Sequence, residues 1–268
     1  MSRCMKFKDK IIWITGAASG IGEALAHKSV EYGGKLILSD IDEPGLSKVV
    51  ANCESSGASV LNLPLDLSLR ESIEKAVKVA MEHFGRVDVL INNGGISQRS
   101  LTWETPMEVD HKIMNINFFG AVVLTKAVLP HMMEQGSGYI AATSSITGKF
   151  GFPLRSAYAA SKHATQGFFE TLGIELASNN ISVTIAMPGR VQTNISLNAL
   201  TGDGTPHGKM DPGQATGIPA DLCAKKYLDA IYKRKPEILI GGKELMMVHI
   251  RRFLPGLFYR LARRIKPE

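Results

Sequence analysis

Tyr158 and Lys162 are the residues whose types and spacing first suggest chemistry. They stand four positions apart in a stretch with helical patterning, so both side chains project from one helix face about one turn apart. A tyrosine with a pKa of about 10 acts as a base at neutral pH only if about 4 kcal/mol stabilises its phenolate. An ammonium group about 5 Å away supplies roughly 3 kcal/mol at an effective dielectric of about 20. The pair therefore predicts a proton-transfer centre.

Ser145 is the third candidate, at the end of the apolar run 139–145 and thirteen positions before Tyr158. Ligands of open α/β sheets collect at the carboxyl ends of strands, where a hydroxyl can hold a carbonyl oxygen. Ser145, Tyr158 and Lys162 together predict a site that works on an alcohol or a carbonyl.

A glycine-rich turn supplies a second kind of chemistry. The apolar run 11–15 leads directly into Gly16, Ser19, Gly20, Ile21 and Gly22, and a helical pattern follows. Glycines let backbone amides approach a pyrophosphate, and the N-terminus of the following helix carries partial positive charge. This context predicts a dinucleotide site, although a tight turn without a ligand is the alternative.

Asp40 follows Gly22 by eighteen positions, where a carboxylate can accept hydrogen bonds from ribose hydroxyls. The same carboxylate opposes a 2′-phosphate, because a like-charge pair about 4 Å apart costs about 4 kcal/mol at an effective dielectric of about 20. Ser19 and Ile41 stand where a basic residue would have met that phosphate. The sequence predicts NAD over NADP; the alternative is that Asp40 only begins the turn toward Pro44.

Short apolar runs alternate with longer helical patterns along the chain. The predicted strands are 11–15, 35–40, 60–66, 87–93, 139–145, 182–188 and 238–241. The predicted helices are 21–32, 43–55, 69–84, 108–133, 156–178 and 219–233. This alternation predicts an α/β chain, a single-domain doubly wound Rossmann fold with a seven-stranded parallel sheet flanked by helices. That domain would cover residues 1–245, with the irregular segment 193–217 as a substrate lid.

In this order, the motifs resemble those of the short-chain dehydrogenase/reductase (SDR) family from residue 6 to about residue 242. The family pattern T-G-x-x-x-G-x-G is met by Thr15 to Gly22, and N-N-A-G by Asn92-Asn93-Gly94-Gly95. The family's catalytic Asn and Ser, its Y-x-x-x-K pair and its P-G motif follow as Asn117, Ser145, Tyr158 with Lys162, and Pro188-Gly189. Gly94 departs from the usual alanine but remains small.

The resemblance implies a role for each catalytic position. Tyr158 would transfer the proton, and Lys162 would lower its pKa and hold the nicotinamide ribose. Ser145 would polarise the substrate oxygen, and Asn117 would support a water that links the lysine to solvent. Asn115 is the less favoured match for that asparagine.

The resemblance also implies a set of cofactor contacts. Asp66 would lie near the adenine, Asn92 would steady the central strand beside the cofactor, and Thr193 would reach the carboxamide. The full predicted set is Gly16, Ser19, Gly20, Ile21, Gly22, Asp40, Asp66, Leu67, Asn93, Gly94, Tyr158, Lys162, Pro188, Gly189, Val191 and Thr193.

Composition narrows the other possibilities. Three separated cysteines and no clustered histidine pattern predict neither disulfides nor a metal site, and favour a cytoplasmic protein. The first residues lack a signal-peptide pattern, and no run reaches the roughly 20 apolar residues of a membrane span. The net charge of +6 is concentrated near the C-terminus, which does not indicate a nucleic-acid-binding face.

Residues 246–268 form a basic amphipathic extension with three open interpretations: a cover for the pocket or a subunit contact, a peripheral membrane contact, or a loosely ordered tail. This tail and the segment Ser97-Gln98-Arg99-Ser100 are similar to members that act on steroids, retinoids or lipids, so an apolar substrate is expected. The resemblance also implies a homodimer or homotetramer paired through helices 108–133 and 156–178.

The predicted function is NAD-dependent interconversion of a secondary alcohol and a ketone or aldehyde by hydride transfer. Two alternatives from other classes stay open. One is a catalytically silent NAD-binding regulator. The other is an epimerase or dehydratase that uses NAD internally.

Overall fold

The computed structural model describes residues 5–265, so the first four and last three residues of the predicted domain and extension lie outside it. Seven parallel strands form one sheet in the order β3-β2-β1-β4-β5-β6-β7. They are β1 Ile11–Thr15, β2 Lys35–Ser39, β3 Val60–Asn62, β4 Val89–Asn92, β5 Gly138–Thr143, β6 Ile181–Pro188 and β7 Glu237–Ile240. The strand order reverses between β1 and β4, and the predicted doubly wound sheet is confirmed.

Helices cover both faces of the sheet. They are α1 Gly20–Glu31, α2 Glu43–Ser55, α3 Arg70–Phe84, α4 Met107–Met114, α5 Ala121–Glu134, α6 Ser156–Glu175, α7 Pro212–Ala215, α8 Ala220–Tyr232, α9 Met246–Phe253 and α10 Pro255–Ala262. Helices α1, α2 and α8 pack on one face, and α3, α5 and α6 pack on the other.

The central strands are apolar on both faces because each face has its own core. In β1, Ile12 and Ile14 enter the core under α1, whereas Ile11 and Trp13 enter the opposite core. Side chains alternate along a strand, so an uninterrupted apolar run serves two helical layers at once. This packing fixes the sheet and brings the carboxyl ends of β1, β4, β5 and β6 to one edge.

The predicted helix 108–133 contains a break in its hydrogen-bond pattern. Residues Asn115–Gly120 form a π-helical turn between α4 and α5. By length and composition alone, the helical stretch Met107–Glu134 could cross a membrane. An 18-residue window within it has a mean hydropathy of 1.5, and 44% of that window is buried within the protein. Its packing against the sheet accounts for its apolar character.

The C-terminal extension folds back onto the body of the domain. Helices α9 and α10 meet at Pro255, and the side chain of Phe258 is buried against Phe150, with ring centroids 5.1 Å apart. The segment therefore closes one side of the site, which matches the first of its three interpretations.

Candidate active site

A cleft of about 880 Å³ opens at the carboxyl edge of the sheet. Its size is typical of a cofactor and small-molecule site. The predicted residues that line it are Gly16, Ser19, Gly20, Ile21, Asp40, Asp66, Leu67, Asn93, Gly94, Ser145, Tyr158, Lys162, Pro188, Gly189, Val191 and Thr193. Gly22 and Asn117 do not line the cleft; both lie behind its wall.

The glycine turn is shaped for a close approach of backbone to ligand. Gly16 has φ +65°, and a Cβ there would lie 2.7 Å from Gly94 Cα. A Cβ on Gly22 would lie 1.8 Å from Gly16 O, so Gly22 lets α1 pack on the turn and does not itself face the ligand. Ser19 precedes α1 without a side-chain cap, which leaves the first N–H groups of the helix available to a phosphate.

The carboxylate of Asp40 is held in place by backbone donors. Ala18 N–H donates to Oδ2 at 3.0 Å and Asp42 N–H donates to Oδ1 at 3.0 Å. Asp40, Ile41 and Asp42 line the same end of the cleft. Two acidic side chains, Asp40 and Asp42, therefore stand together at this end of the cleft.

Two asparagines at the end of β4 do different work. Asn93 donates to Thr15 O at 3.2 Å and accepts from Thr143 Oγ1 at 3.2 Å, so it ties β1 to β5 at the floor of the cleft. Asn92 points away, toward α5, where it donates to Thr125 Oγ1 at 2.9 Å. Asn92 thus steadies the strand from the far side, and Asn93 is the residue beside the cofactor space.

The remaining predicted contacts approach from the loops. Asp66 Oδ1 accepts from the N–H of Ser68 at 2.8 Å, which fixes its carboxylate at the rim. Thr193 lies against the glycine turn, 3.0 Å from the position of a Cβ on Gly20. Gln214 of the lid donates to Thr193 Oγ1 at 2.9 Å, so the lid positions this threonine.

Ser145, Tyr158 and Lys162 meet at the centre of the cleft. The Ser145 hydroxyl donates to Pro188 O at 3.3 Å and lies close enough to Tyr158 to act on its pKa. Lys162 is buried, and its Nζ lies 5.6 Å from the centre of the Tyr158 ring and donates to Thr143 O at 2.8 Å. A hydroxyl, a phenol and an ammonium group thus converge on one space.

The pKa values of the pair follow from this burial. Burial raises the pKa of Tyr158. The nearby Ser145 hydroxyl and the positive charges of Arg155 and Arg99 oppose this rise. Burial lowers the pKa of Lys162 to about 8. The lowered tyrosine pKa expected from the sequence is therefore absent from the cofactor-free protein, since the desolvation of the phenolate outweighs the nearby cations.

Asn117 belongs to the π turn and supports the site from behind. Its Nδ2 donates to Ile96 O at 2.9 Å and to Ser161 Oγ at 3.1 Å, and its Oδ1 accepts from Ile96 N–H at 2.8 Å. It thereby joins the loop after β4 to α6, next to Lys162. Asn115, the alternative, is exposed and donates to Ser68 O. The proton route through Asn117 stays a prediction.

Six charged residues that line the cleft were not predicted as site residues: Asp42, Arg99, Arg155, Arg190, Asp211 and Glu244. Arg99 and Arg155 both contact Asp211 of the lid, and all three line the cleft near Tyr158. Arg99 stands in the segment that the sequence analysis singled out only for its similarity to lipid-acting members. No local pattern marks the pairing, because 56 and 112 positions separate Asp211 from its partners.

Known proteins share both the sequence pattern and the fold. The family model described as short chain dehydrogenase matches residues 10–202. A mouse protein, dehydrogenase/reductase SDR family member 7B, is 41% identical over 97% of this chain and 83% of its own. A dehydrogenase/reductase SDR family protein 7-like from Anopheles gambiae is 44% identical over 87% of this chain and 75% of its own.

Two solved structures resemble the fold closely. A short chain dehydrogenase/reductase from Burkholderia phymatum in complex with NAD has a TM-score of 0.84 and 26% identity, with 98% of each chain covered. An alcohol dehydrogenase from Thermococcus sibiricus complexed with 5-hydroxy-NADP has a TM-score of 0.75 and 26% identity, covering 88% of this chain and 97% of its own. Similar cleft architectures thus accept both cofactor types.

Proposed function

The chain belongs to the short-chain dehydrogenase/reductase family, and from this premise we propose that it interconverts a secondary alcohol and a ketone or aldehyde with NAD(H). The observation that carries the proposal is the convergence of Ser145, Tyr158 and Lys162 beside the glycine turn. A degenerate regulator would not need an acid, a cation and a hydroxyl at one point. Both SDR relatives bear dehydrogenase/reductase names, and neither alternative is favoured.

Each residue has a step in this mechanism. Ser145 donates a hydrogen bond to the carbonyl oxygen of the substrate, and the phenol of Tyr158 gives its proton to that oxygen during reduction. Lys162 holds the ribose and stabilises the phenolate that remains. A bound nicotinamide cofactor supplies the hydride in reduction and accepts it in oxidation. Alcohol oxidation reverses the proton transfer at the same atom.

Removal of the phenol tests the mechanism. We expect Tyr158→Phe to bind NADH with near-wild-type affinity but to lose at least about 10³-fold in kcat for ketones, since the proton donor is gone. NADH binding followed by fluorescence, and turnover on a panel of ketones and secondary alcohols, separate the two effects. Retained turnover in the variant would overturn the assignment of Tyr158.

We propose NAD as the preferred cofactor on the position of Asp40. Its carboxylate is immobilised by two backbone N–H groups at the ribose end of the cleft, with Asp42 beside it. A 2′-phosphate would meet fixed negative charge there. Ribose hydroxyls can instead donate to the carboxylate lone pairs that these two backbone groups leave free.

We also propose an apolar substrate reached from a membrane surface. The substrate end of the cleft is lined by Phe150, Met247 and Phe258. At the junction of the two C-terminal helices, the side chains of Phe253 and Leu254 are exposed. Residues 246–265 contain five arginines and no acidic residue. An exposed apolar face rimmed by arginine is complementary to anionic lipid, so the proposed contact is peripheral.

A homo-oligomer is the last part of the proposal. The exposed face of α6 carries small or apolar residues at Ala160, Gly167 and Ile174, spaced about two turns apart. Exposed Phe119 lies on the neighbouring π turn. Such a face permits close pairing of helices with a second copy of the chain.

A further inference from the structure

Three charged side chains other than Lys162 lie near Tyr158 at the substrate end of the cleft. Arg99 follows β4, Arg155 immediately precedes α6, and Asp211 belongs to the lid. Two cations and one anion leave this cluster with one excess positive charge. An excess charge in a largely buried cleft calls for a partner, since desolvation penalises an unpaired ion.

Arg99 and Asp211 already satisfy each other. Arg99 Nε donates to both carboxylate oxygens, at 3.2 and 3.1 Å, and Nη2 donates to Oδ2 at 2.5 Å. Arg99 Nη1 donates to Ser97 Oγ at 2.9 Å, and only 4% of its side chain is exposed. This forked pair fastens the lid to the body of the protein and accounts for one charge of each sign.

Arg155 is the cation that remains. Within residues 5–265 its guanidinium makes a single hydrogen bond, from Nη2 to Asp211 Oδ2 at 2.6 Å, and lies over the ring of Phe152 at 4.8 Å. A guanidinium has five N–H donors, so most of its donors are available toward the cleft. The stacking on Phe152 holds the guanidinium plane in one orientation.

Helix stability does not explain an arginine at this position. Arg155 is the N-cap residue of α6 and makes no side-chain cap hydrogen bond. Cations are disfavoured at helix N-termini, and small polar caps are preferred there by about 1 kcal/mol. Because Arg155 does not stabilise the helix, and because it stands three residues before Tyr158, a role in ligand binding is the better explanation for it.

We infer that Arg155 binds an anionic group of the substrate close to the reacting carbon. The single excess charge matches a carboxylate, the group that Asp211 already presents to the same guanidinium. With the aromatic wall of Phe150 and Phe258 beyond it, the cleft fits a keto or hydroxy acid with an apolar chain. This inference rests on the proposed dehydrogenase function and names its substrate class.

The test compares matched acids and esters. We expect the wild type, with NADH, to reduce long-chain keto acids about 10- to 100-fold more efficiently in kcat/KM than their methyl esters, the range of a charge-assisted hydrogen bond. Arg155→Gln should abolish this ratio, and Arg155→Lys should restore part of it. Arg70→Gln, which removes an exposed charge on α3, should keep the wild-type ratio and thereby exclude a general effect of net charge.

Three outcomes would overturn the inference. The first is a wild type that does not discriminate acid from ester, and the second is an Arg155→Gln variant that loses activity on both and keeps their ratio. The second result would indicate that Arg155 acts on Tyr158 and not on the substrate. Preference for a keto phosphate monoester over the keto acid would overturn the carboxylate assignment.

Binding without turnover separates this inference from the proposed function. Calorimetry of a long-chain carboxylate with the NAD-loaded protein should give affinity that Arg155→Gln weakens about 10-fold or more and Arg70→Gln does not. If no ketone is reduced yet this binding depends on Arg155, the proposed function fails and the anion site stands. If ketones are reduced and carboxylates do not bind, the reverse holds.

Discussion

Burial acts in opposite directions on the two central groups of the site. It raises the pKa of Tyr158 and lowers that of Lys162 to about 8, since in each case it disfavours the charged form. At neutral pH the cofactor-free protein therefore holds a protonated phenol beside an ammonium close to its titration point. This state is ready to donate a proton to a carbonyl.

The pH dependence of reduction follows from Lys162. We predict that kcat/KM for NADH, which reports the free enzyme, falls about tenfold per pH unit above about 8, as the lysine loses its charge. Tyr158 stays protonated across this range because its pKa is raised. A steady-state pH profile from 6 to 10 tests this, and a flat profile to pH 10 would contradict it.

The lowered pKa of Lys162 also predicts how the free energy of unfolding depends on pH. Its folded pKa of about 8 lies below the ordinary 10.5, so the unfolded chain holds this proton more tightly between the two values. The free energy of unfolding contributed by Lys162 therefore rises with pH across that window. Denaturant titrations of Lys162→Met, in which this rise is removed, provide the comparison with wild type.

Asp40 offers a test of cofactor choice. We expect Asp40→Ser to lower the preference for NADH over NADPH by about 10- to 100-fold, because the fixed charge opposing a 2′-phosphate is removed. Glu54→Gln is the matched control, since it removes an exposed acidic charge on α2 that does not line the cleft and should keep the wild-type ratio. Parallel titrations with both nucleotides measure the ratio, and an unchanged ratio in Asp40→Ser would remove the argument from Asp40.

At the scale of elements, periodicity predicted much and missed local departures. Helix α2 has the predicted bounds, and the seven strands have the predicted order along the chain. Strand β3 is only Val60–Asn62, although the N–H groups of Leu63 and Leu65 still donate to Leu38 O and Asp40 O beyond it. The π turn at Asn115–Gly120 could not be predicted from the 3.6-residue spacing of apolar side chains. A single widened turn inside a helix has no characteristic residue type that would reveal it. Long-range contacts of Asn117 stabilise it.

The lid shows a different limit of sequence reasoning. The irregular composition of residues 193–217 predicted a lid, and the structure places there the short helix α7 and two isolated bridges, of Leu200 with Gln98 and with Pro206. Which residues fasten it could not be predicted, because the forked pair of Arg99 and Asp211 depends on the folding of two distant loops onto one cleft. The unpaired positive charge of Arg155 could be recognised only after the structure had paired Arg99 with Asp211.

Helices α9 and α10 carry the prediction of membrane contact. We expect the protein to sediment with vesicles containing anionic phosphatidylglycerol, less with neutral phosphatidylcholine, and less again in high salt. Phe253→Ser with Leu254→Ser should reduce binding severalfold, since both side chains are exposed. The matched control is Leu222→Ser, which removes exposed apolar surface from α8. Equal binding to both vesicle types would contradict the electrostatic part of the proposal.

At the scale of the whole molecule, the two ends of the cleft are opposite in character. The nucleotide end carries Asp40, Asp42 and Asp66, whereas the substrate end carries Arg99, Arg155 and Asp211, with one excess positive charge, and an apolar wall from the C-terminal helices. Because one continuous cleft joins them, this arrangement supports the two proposals above: a nucleotide with free ribose hydroxyls at one end and an amphipathic anion at the other. The sheet edge supplies the point where they meet.

The proposed homo-oligomer can be tested with a single substitution on the exposed face of α6. A Cβ on Gly167 would meet nothing within 4 Å, so Gly167→Arg fits the single chain, and arginine favours a helix more than glycine does. We expect this variant to remain folded but to shift to monomers in light scattering, because the side chain would separate paired α6 helices. Ala51→Arg on exposed α2 is the matched control and should keep the wild-type mass. If both variants keep that mass, α6 is not the pairing face; if wild type is itself monomeric, the proposed oligomer is wrong.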